Sequence, residues 1–273
     1  MTPTIATLAR AASDRPAADK LAAVRTQVSA EEWRVRCDLA ACYRLAHGLG
    51  WEDTIFTHFS ARVPGPETHY LLNPLGYLFD EVTASSLVKV DVMGNIVLDP
   101  TGLGINPAGW VIHGSVHEAR DNAHCVMHTH TVAGVAVSCQ PGGLLPINQQ
   151  ALTIVHDLAY HDFEGIALDG AERARLVAHL GAKNNLILRN HGLLTVGDTV
   201  GAAFLRMYAL SRTCDIQVHA QAGGAAIAPL PQAVIDRVRD QMRAPGGGPV
   251  RAADLAWAAM LRRLDRQGVA YAV

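Results

Sequence analysis

Two patterns of apolar residues alternate along the chain, and this alternation most constrains how it can fold. Apolar residues that recur at helical spacing predict helices at 31–48, 111–120, 131–139, 170–180, 198–221 and 254–267. Short apolar runs bounded by Gly, Pro or Asn predict strands at 57–63, 70–73, 88–91, 96–99, 125–129, 185–189 and 193–196. Because helices and strands are interspersed, we expect an α/β sandwich rather than a barrel or a bundle.

The size and composition of the chain suit one main folded unit. The 273 residues are 49% hydrophobic, which is enough to bury a sizeable core. We predict a domain at residues 29–223, preceded by a flexible N-terminal arm at 1–28. A Gly- and Pro-rich stretch follows the last long predicted helix, so we assign residues 224–273 to a peripheral C-terminal helical extension.

The net charge and the cysteines restrict which partners and which cellular compartment we expect for the protein. The formal net charge is −2, and no basic cluster marks a nucleic-acid surface. No apolar run reaches the roughly 18 residues that a membrane helix needs, so we expect neither nucleic acid nor a membrane as a partner. The five cysteines are irregularly spaced and odd in number, which favours free thiols and a reducing cytoplasm.

A histidine pair at the end of a predicted strand is the most informative local motif. His128 and His130 are two residues apart, so their side chains point to the same face of the strand. His191 ends a second apolar strand and precedes Gly192, which permits close approach of the backbone. Three imidazoles and a water molecule would form an open metal site suited to Lewis-acid catalysis.

A purely structural interpretation of these histidines remains open at this stage. A single His-x-His pair on a strand is often only a hydrogen-bonded polar end, and short motifs match by chance. The spacing in the sequence also does not prove that the two strands are neighbours. We favour the metal site because converging imidazoles are costly to bury without a partner.

Several longer motifs give the chain a resemblance to a known family. They are Thr-His-Phe-Ser at 57–60, Asn-Pro-Ala-Gly-Trp-Val-Ile-His at 106–113, His-Thr-His at 128–130 and Arg-Asn-His-Gly at 189–192. Over residues 31–222 the chain resembles the class II aldolase/adducin family, and it looks most like the adducin head-domain branch. The resemblance implies a three-layer α/β/α sandwich with a central, mostly antiparallel sheet, assembled as a ring-shaped homotetramer with sites between subunits.

The resemblance also implies a ligand set and a chemistry. His128, His130 and His191 match the family's metal ligands, so we expect one divalent metal ion, Zn²⁺ first and Fe²⁺ as the alternative. The ion would polarise the carbonyl group of a small-molecule substrate. His113 matches a common family position near the metal. Tyr160 is a candidate catalytic residue facing a neighbouring subunit, although it could equally pack against Phe163.

The chain departs from the family pattern at the catalytic glutamate and in the phosphate pocket. Gly109 stands at the glutamate position, and glycine can neither bind a metal nor move a proton. Pro107 and Ala108 replace two serines, and His58 replaces an asparagine. Several hydrogen-bond donors to phosphate are therefore missing, which predicts an unphosphorylated carbonyl or hydroxy-acid substrate. A water molecule, Tyr160 or another acid would then move the proton.

Three functions from different classes are compatible with these features. We favour a metal-dependent carbon–carbon lyase. Three neutral histidines without a carboxylate also suit Fe(II), so a non-haem oxygenase acting on an aromatic 2-oxo or 2-hydroxy acid is the first alternative. The second alternative is a non-catalytic, adducin-like assembly domain, because that branch of the family uses the same fold without requiring catalysis.

Overall fold

The computed structural model describes residues 18–165, 170–243 and 250–273, which form an α/β fold around one sheet. Its eight strands lie in the order β4-β3-β2-β1-β5-β8-β7-β6. Neighbouring strands are antiparallel except for β6 and β7, which are parallel. The strands are β1 (His58–Val63), β2 (His69–Leu72), β3 (Val88–Asp91), β4 (Ile96–Leu98), β5 (Cys125–Thr129), β6 (Leu158–His161), β7 (Asn185–Leu188) and β8 (Gly192–Gly197).

Helices cover both faces of this sheet. In the described residues they are α1 (Ala18–Gln27), α2 (Ala30–Gly48), α3 (Pro107–Ala119), α4 (Val132–Ser138), α5 (Gln149–Ile154), α6 (Gly170–Leu180), α7 (Val200–Ala222), α8 (Gln232–Arg243) and α9 (Val250–Gln267). Helices α2 and α7 pack directly on one face, with α4 and α9 against them. Helices α3 and α6 pack against each other on the opposite face. The predicted three-layer α/β/α sandwich with a mostly antiparallel sheet is confirmed.

The alternation of side chains along the central strands builds a core on each face. In β5, Met127 contributes to the cluster under α2 and α7, together with Phe59 and Phe204. Its neighbour Val126 points the other way and packs with Val116 of α3. Fully burying one such apolar side chain stabilises a fold by about 1.5–3 kcal/mol. The two cores hold β5 and β8 from both faces and β1 from one face, and these strands carry the site described below.

The C-terminal extension packs on the main domain rather than lying apart from it. Leu264 of α9 is buried in the core under α2 and α7. The Trp257 indole contacts Phe204, with 5.5 Å between the ring centroids, and its Nε1–H donates to Oδ1 of Asp38 at 3.3 Å. A Cβ on Gly201 would lie 2.6 Å from the Trp257 ring, so the missing side chain lets the two helices approach closely.

Several elements were not predicted from the sequence. Helix α1 lies in the segment that we expected to be a flexible arm, whose residues 1–17 are outside the described part. Helix α8 lies in the Gly- and Pro-rich stretch. It is amphipathic, but none of its residues is buried, so its apolar face contributes little to the core. Strand β6 has no clear alternation, because three of its four residues are only partly buried. Helix α5 is only six residues long, too short for periodicity to reveal.

Two further findings concern cysteines and membrane spans. All five cysteines are free thiols, and Cys42, Cys125 and Cys214 are buried. Among the helices of the described residues, none has both the length and the apolar character needed to span a bilayer.

Candidate metal centre

Three histidines from two parts of the chain converge at one end of the sheet. His128 lies in β5, His130 follows the same strand, and His191 lies in the hairpin between β7 and β8. One ring nitrogen of each lies within 4.8 Å of the others. The His191 ring centroid is 4.7 Å from that of His128 and 4.9 Å from that of His130. The two strand ends named by the sequence motifs are therefore neighbours in space.

The hairpin that carries His191 depends on its two flanking residues. Leu188 pairs with Gly192, which leaves a three-residue loop between β7 and β8. Asn190 adopts a left-handed conformation with φ of 57°, which asparagine tolerates better than most residues. A Cβ on Gly192 would lie 2.5 Å from the carbonyl oxygen of Thr129, so only glycine lets this turn approach β5 so closely. The close approach places the His191 ring beside the other two.

The hydrogen bonds of two of these rings determine which nitrogen faces the cluster. Nδ1 of His128 lies 3.0 Å from the carbonyl oxygen of Leu193, and Nδ1 of His130 lies 2.9 Å from Oδ2 of Asp53. Both oxygens accept only, so each Nδ1 carries the hydrogen and each neutral ring has its lone pair on Nε2. These two Nε2 atoms are 2.9 Å apart. Facing lone pairs repel each other, and a shared cation removes that repulsion, so the donor set fits a metal ion.

Burial keeps two histidines of the cluster, His128 and His191, in the form that binds metal. Burial first, then the neighbouring histidines, lowers the pKa of His128 well below its usual range. The same causes lower the pKa of His191 to about 4. Both rings are therefore neutral near pH 7, and neutral imidazole is the ligand form for divalent ions.

A cavity of about 340 Å³ opens above the cluster. Phe56, Ile112 and Phe163 provide apolar surface, and Asp53 and Asn106 add polar groups. Among the described residues that line it, none is a lysine or an arginine. The volume suits a small molecule, and the lining offers no cationic side chain for a phosphate group.

His58 is a site residue that the sequence analysis did not identify as functional. It lies in β1, directly opposite His128 in β5, with 5.3 Å between the ring centroids. It is buried and lines the cavity. A Cβ on Gly109 would lie 2.5 Å from Nε2 of His58, so the imidazole occupies the space in front of Gly109. In the sequence, His58 stands out only as a lost phosphate donor, and its alternation with Ser60 is the one signal that its side chain points inward.

His113 lies behind His58 rather than at the cavity surface. It is fully buried in α3, and its Nε2 lies 2.8 Å from Nδ1 of His58. Its Nδ1 lies 2.5 Å from Oγ of Ser60, which in turn lies 2.6 Å from Nε2 of His117. Both nitrogens of His113 are therefore hydrogen-bonded in the interior. This placement suits support of the site from behind, and the role itself stays a prediction.

Tyr160 does not line the cavity of the same chain. Its hydroxyl oxygen accepts a hydrogen bond from the Leu144 backbone N–H at 3.0 Å. Its ring lies 4.6 Å from the Arg189 guanidinium carbon, and a Cβ on Gly143 would lie 2.5 Å from the hydroxyl. Phe163 instead lies at the cavity, 6.4 Å from the His191 ring. A catalytic role for Tyr160 at a neighbouring subunit stays a prediction.

The fold, the histidine cluster and the sequence together define the class of protein. The family model described as "Class II Aldolase and Adducin N-terminal domain" matches residues 37–218. The chain belongs to this class II aldolase/adducin family.

Relatives in bacteria match nearly the whole chain. A "Putative aldolase class 2 protein" of Pseudomonas aeruginosa is 52% identical over 252 residues, covering 91% of this chain and 95% of the relative. The solved structure of an aldolase II superfamily protein from Pseudomonas syringae is also 52% identical, with a TM-score of 0.87, and covers 92% of this chain and 99% of that one. The solved structure shares the fold, and both relatives match nearly the whole length of this chain.

Other relatives agree over part of the chain or in fold alone. Mouse alpha-adducin is 48% identical over 194 residues, which make up 70% of this chain but only 26% of the adducin. An L-fuculose 1-phosphate aldolase from Glaciozyma antarctica has a TM-score of 0.74 over 99% of this chain and 96% of its own. At 24% identity, that structure supports the fold only.

Proposed function

We propose that this protein is a metal-dependent carbon–carbon lyase that acts on a small, unphosphorylated carbonyl or hydroxy-acid substrate. His128, His130 and His191 would hold one divalent ion. We expect this ion to be Zn²⁺, with Fe²⁺ as the alternative. One observation carries the proposal. The Nε2 atoms of His128 and His130 each have a lone pair, and the two atoms face each other at 2.9 Å. When bound, the ion supplies Lewis-acid stabilisation of the negative charge that develops on a substrate oxygen.

The cavity supports the choice of an unphosphorylated substrate. Binding a phosphate group requires converging N–H donors or cationic side chains, and the described cavity lining has no lysine or arginine. The Phe56 and Phe163 rings are each more than half exposed and stand at the cavity, where a bound substrate would cover them. Asp53 orients His130, and a substrate that covers the two rings would reduce access of water to the reacting atoms.

Two roles proposed from the sequence apply to this function. His113 would act as a positioning residue, since both of its ring nitrogens are engaged in the interior. Tyr160 would act as a proton donor only across a subunit boundary, because it does not line the cavity of its own chain. We expect the homotetramer that the family resemblance implies, and a cytoplasmic location.

The test combines metal content with turnover. Protein purified without oxygen is analysed for zinc and iron, and carbon–carbon cleavage is then measured across a panel of unphosphorylated hydroxy acids and hydroxy ketones. We expect about one zinc per chain and turnover that is lost in His128→Ala. His219→Ala is the matched control, because His219 is exposed on α7. Full turnover in His128→Ala would end the proposal.

The same purified protein separates the two other candidate functions. The donor set of three neutral imidazoles without a carboxylate also suits Fe(II), so iron together with oxygen uptake on an aromatic 2-oxo acid would favour a non-haem oxygenase. A protein with neither zinc nor iron and no turnover would favour an assembly domain. The similarity to alpha-adducin over 70% of the chain supports that last alternative.

A further inference from the structure

A continuous chain of hydrogen bonds runs from the cavity into the interior. It links His58 to His113, then to Ser60, then to His117, with successive distances of 2.8, 2.5 and 2.6 Å. It ends where Nδ1 of His117 lies 2.6 Å from the carbonyl oxygen of Ala123. A carbonyl oxygen can only accept, so Nδ1 of His117 must donate. This terminal bond sets the direction of every other bond in the chain.

The direction follows from counting hydrogens along the chain. A neutral imidazole has one N–H, so Nε2 of His117 accepts from the Ser60 hydroxyl. That hydroxyl has no second hydrogen, so its oxygen accepts from Nδ1 of His113. Nε2 of His113 then accepts from Nδ1 of His58. The single hydrogen of the His58 ring is therefore on Nδ1, and its Nε2 has a free lone pair.

The premise of neutral rings has a physical basis in burial. Burial lowers the pKa of His117 to about 3, and it lowers the pKa of His113 well below its usual range. All three rings are at most 4% exposed. Each therefore carries one ring hydrogen near pH 7, as the count requires.

His58 and Gly109 both line the cavity beside the metal-binding cluster, and Nε2 is on the side of the His58 ring that lies next to Gly109. Nε2 is the atom that a Cβ on Gly109 would approach to 2.5 Å. Within the described part of the chain, Nε2 of His58 makes no hydrogen bond. This contact explains why residue 109 is a glycine, because any side chain there would collide with Nε2 of His58 or displace it.

We propose that Nε2 of His58 is a fixed hydrogen-bond acceptor that binds a hydroxyl group of the substrate next to the metal-bound oxygen. His113, Ser60 and His117 are the positioning residues that hold this tautomer. The inference rests on the proposed function, which it narrows to carbonyl compounds with a hydroxyl group on the neighbouring carbon. A substrate without that donor leaves a buried acceptor unsatisfied, which weakens binding roughly tenfold or more.

The tautomer of His58 can be tested on the metal-free protein by a measurement that does not depend on catalytic activity. Long-range proton–nitrogen NMR of the ¹⁵N-histidine-labelled, metal-free protein near pH 7 reports which ring nitrogen carries the hydrogen. We expect His58 in the Nδ1–H form, in contrast to the Nε2–H form that predominates for an exposed histidine. Assignment of the Nε2–H form to His58 in the unmodified protein would overturn the proposal, and this measurement depends on no variant folding.

Variants of Ser60 then test whether the chain sets the tautomer. Ser60→Ala removes the link between His113 and His117, so we expect His58 to become a mixture of both tautomers. Ser60→Thr keeps the hydroxyl and should restore the Nδ1–H form. The exposed His219 serves as an internal reference whose signals should not change. A His58 signal that is the same in Ser60→Ala as in the unmodified protein would contradict the positioning role.

A matched ligand pair tests recognition of the hydroxyl group. Lactate and propionate differ by one hydroxyl, and their binding to the zinc-loaded protein is compared by calorimetry. We expect roughly tenfold tighter binding of lactate, and loss of this preference in His58→Phe with zinc affinity retained. Equal binding of the two acids, no binding of lactate, or a preference that survives in His58→Phe would overturn the proposal.

The outcomes separate this inference from the proposed function. If the protein fails to bind zinc, the lyase proposal is wrong. The tautomer of His58 is measured in the metal-free protein, so that result is unaffected. A shift of the His58 Nε2 signal caused by zinc alone, of the size seen for His128, would instead make His58 a fourth ligand and end the acceptor role.

Discussion

Asp53 and His130 are 77 residues apart in the chain, yet Oδ2 of Asp53 lies 2.9 Å from Nδ1 of His130. The carboxylate can only accept, so it holds the His130 hydrogen on Nδ1 and directs Nε2 towards His128. His128 is held in the same way, but by the backbone carbonyl of Leu193. Of these two supports, only the one from Asp53 can be removed by substituting a side chain.

Substitution of Asp53 should therefore weaken metal binding. Without the carboxylate the His130 ring loses its preferred orientation, and loss of such a supporting group typically reduces metal affinity 10- to 100-fold. We expect that loss in Asp53→Ala, measured by competition for zinc with a chelating dye. Asp53→Asn retains an oxygen acceptor and should lose less. Since about half of the Asp53 side chain is exposed, neither variant should change the melting temperature of the metal-free protein by much.

The contact between His58 and Gly109 predicts a non-additive pair of substitutions. A methyl group at 109 would lie 2.5 Å from a ring that is hydrogen-bonded to His113, so the ring cannot move aside freely. We expect Gly109→Ala to lower the free energy of unfolding by about 1–3 kcal/mol. In the His58→Ala background the added methyl has room, and the loss should largely disappear. Urea unfolding of the four proteins in this cycle gives the coupling energy.

Gly48→Ala is the matched control for that cycle. Gly48 also lies in a helix, and a Cβ there would meet no atom within 4 Å. Alanine should stabilise that position by up to about 1 kcal/mol because of its higher helix propensity. An equal loss in both backgrounds for Gly109→Ala would show that the contact with His58 does not explain the glycine.

Buried neutral histidines should make the metal-free protein sensitive to acid. The pKa of His117 is lowered to about 3 by burial, whereas in the unfolded chain it is near 6.5. Above pH 6.5 neither state binds the proton, so the full stability is present. As the pH falls from 6.5 towards 3, only the unfolded state binds the proton, and stability is lost.

The contribution of His117 can be measured directly. One such histidine adds a slope of about 1.4 kcal/mol per pH unit to the free energy of unfolding in this range. Urea unfolding in the presence of a chelator at several pH values between 7 and 4 should give a shallower slope for His117→Gln than for the unmodified protein. His219→Gln should leave the slope unchanged, since His219 is exposed. Identical slopes in all three proteins would refute the assignment.

The packing of the C-terminal helix on α7 predicts a sizeable loss in Trp257→Ala. The indole fills the space above Gly201 and contacts Phe204. Because the ring is only partly buried, we expect a loss of about 2–3 kcal/mol in the free energy of unfolding, below the range for a fully buried Trp. Leu255→Ala is the control, since Leu255 is 75% exposed two residues away and should have little effect. Equal effects of the two variants would indicate that α9 is only loosely attached.

The metal-binding cluster illustrates what could be predicted from the chain alone. The two-residue spacing of His128 and His130 places both on one face of a strand, because alternation is a local property of the backbone. The glycine after His191 signalled close approach, and Gly192 does contact β5. Local periodicity also predicted most helices and strands, but it missed β6, whose side chains are mostly half-buried.

Local patterns could not reveal His58 as a site residue. Its significance depends on its register opposite His128, 70 positions further along the chain, and on its contact with Gly109, 51 positions further along. The same limit applies to Tyr160, whose hydroxyl oxygen accepts a hydrogen bond from the Leu144 backbone N–H. Contacts between distant segments depend on how strands and helices pack, and spacing along the chain does not encode them.

By itself the sequence determined the α/β class, the family and the three histidines that could bind a metal, because hydrophobic periodicity and short motifs are written in neighbouring residues. The tertiary structure alone decided which ring nitrogen carries the hydrogen in His128, His130 and His117. That choice depends on acceptors such as Leu193, Asp53 and Ala123, which only folding brings within hydrogen-bond distance of the rings.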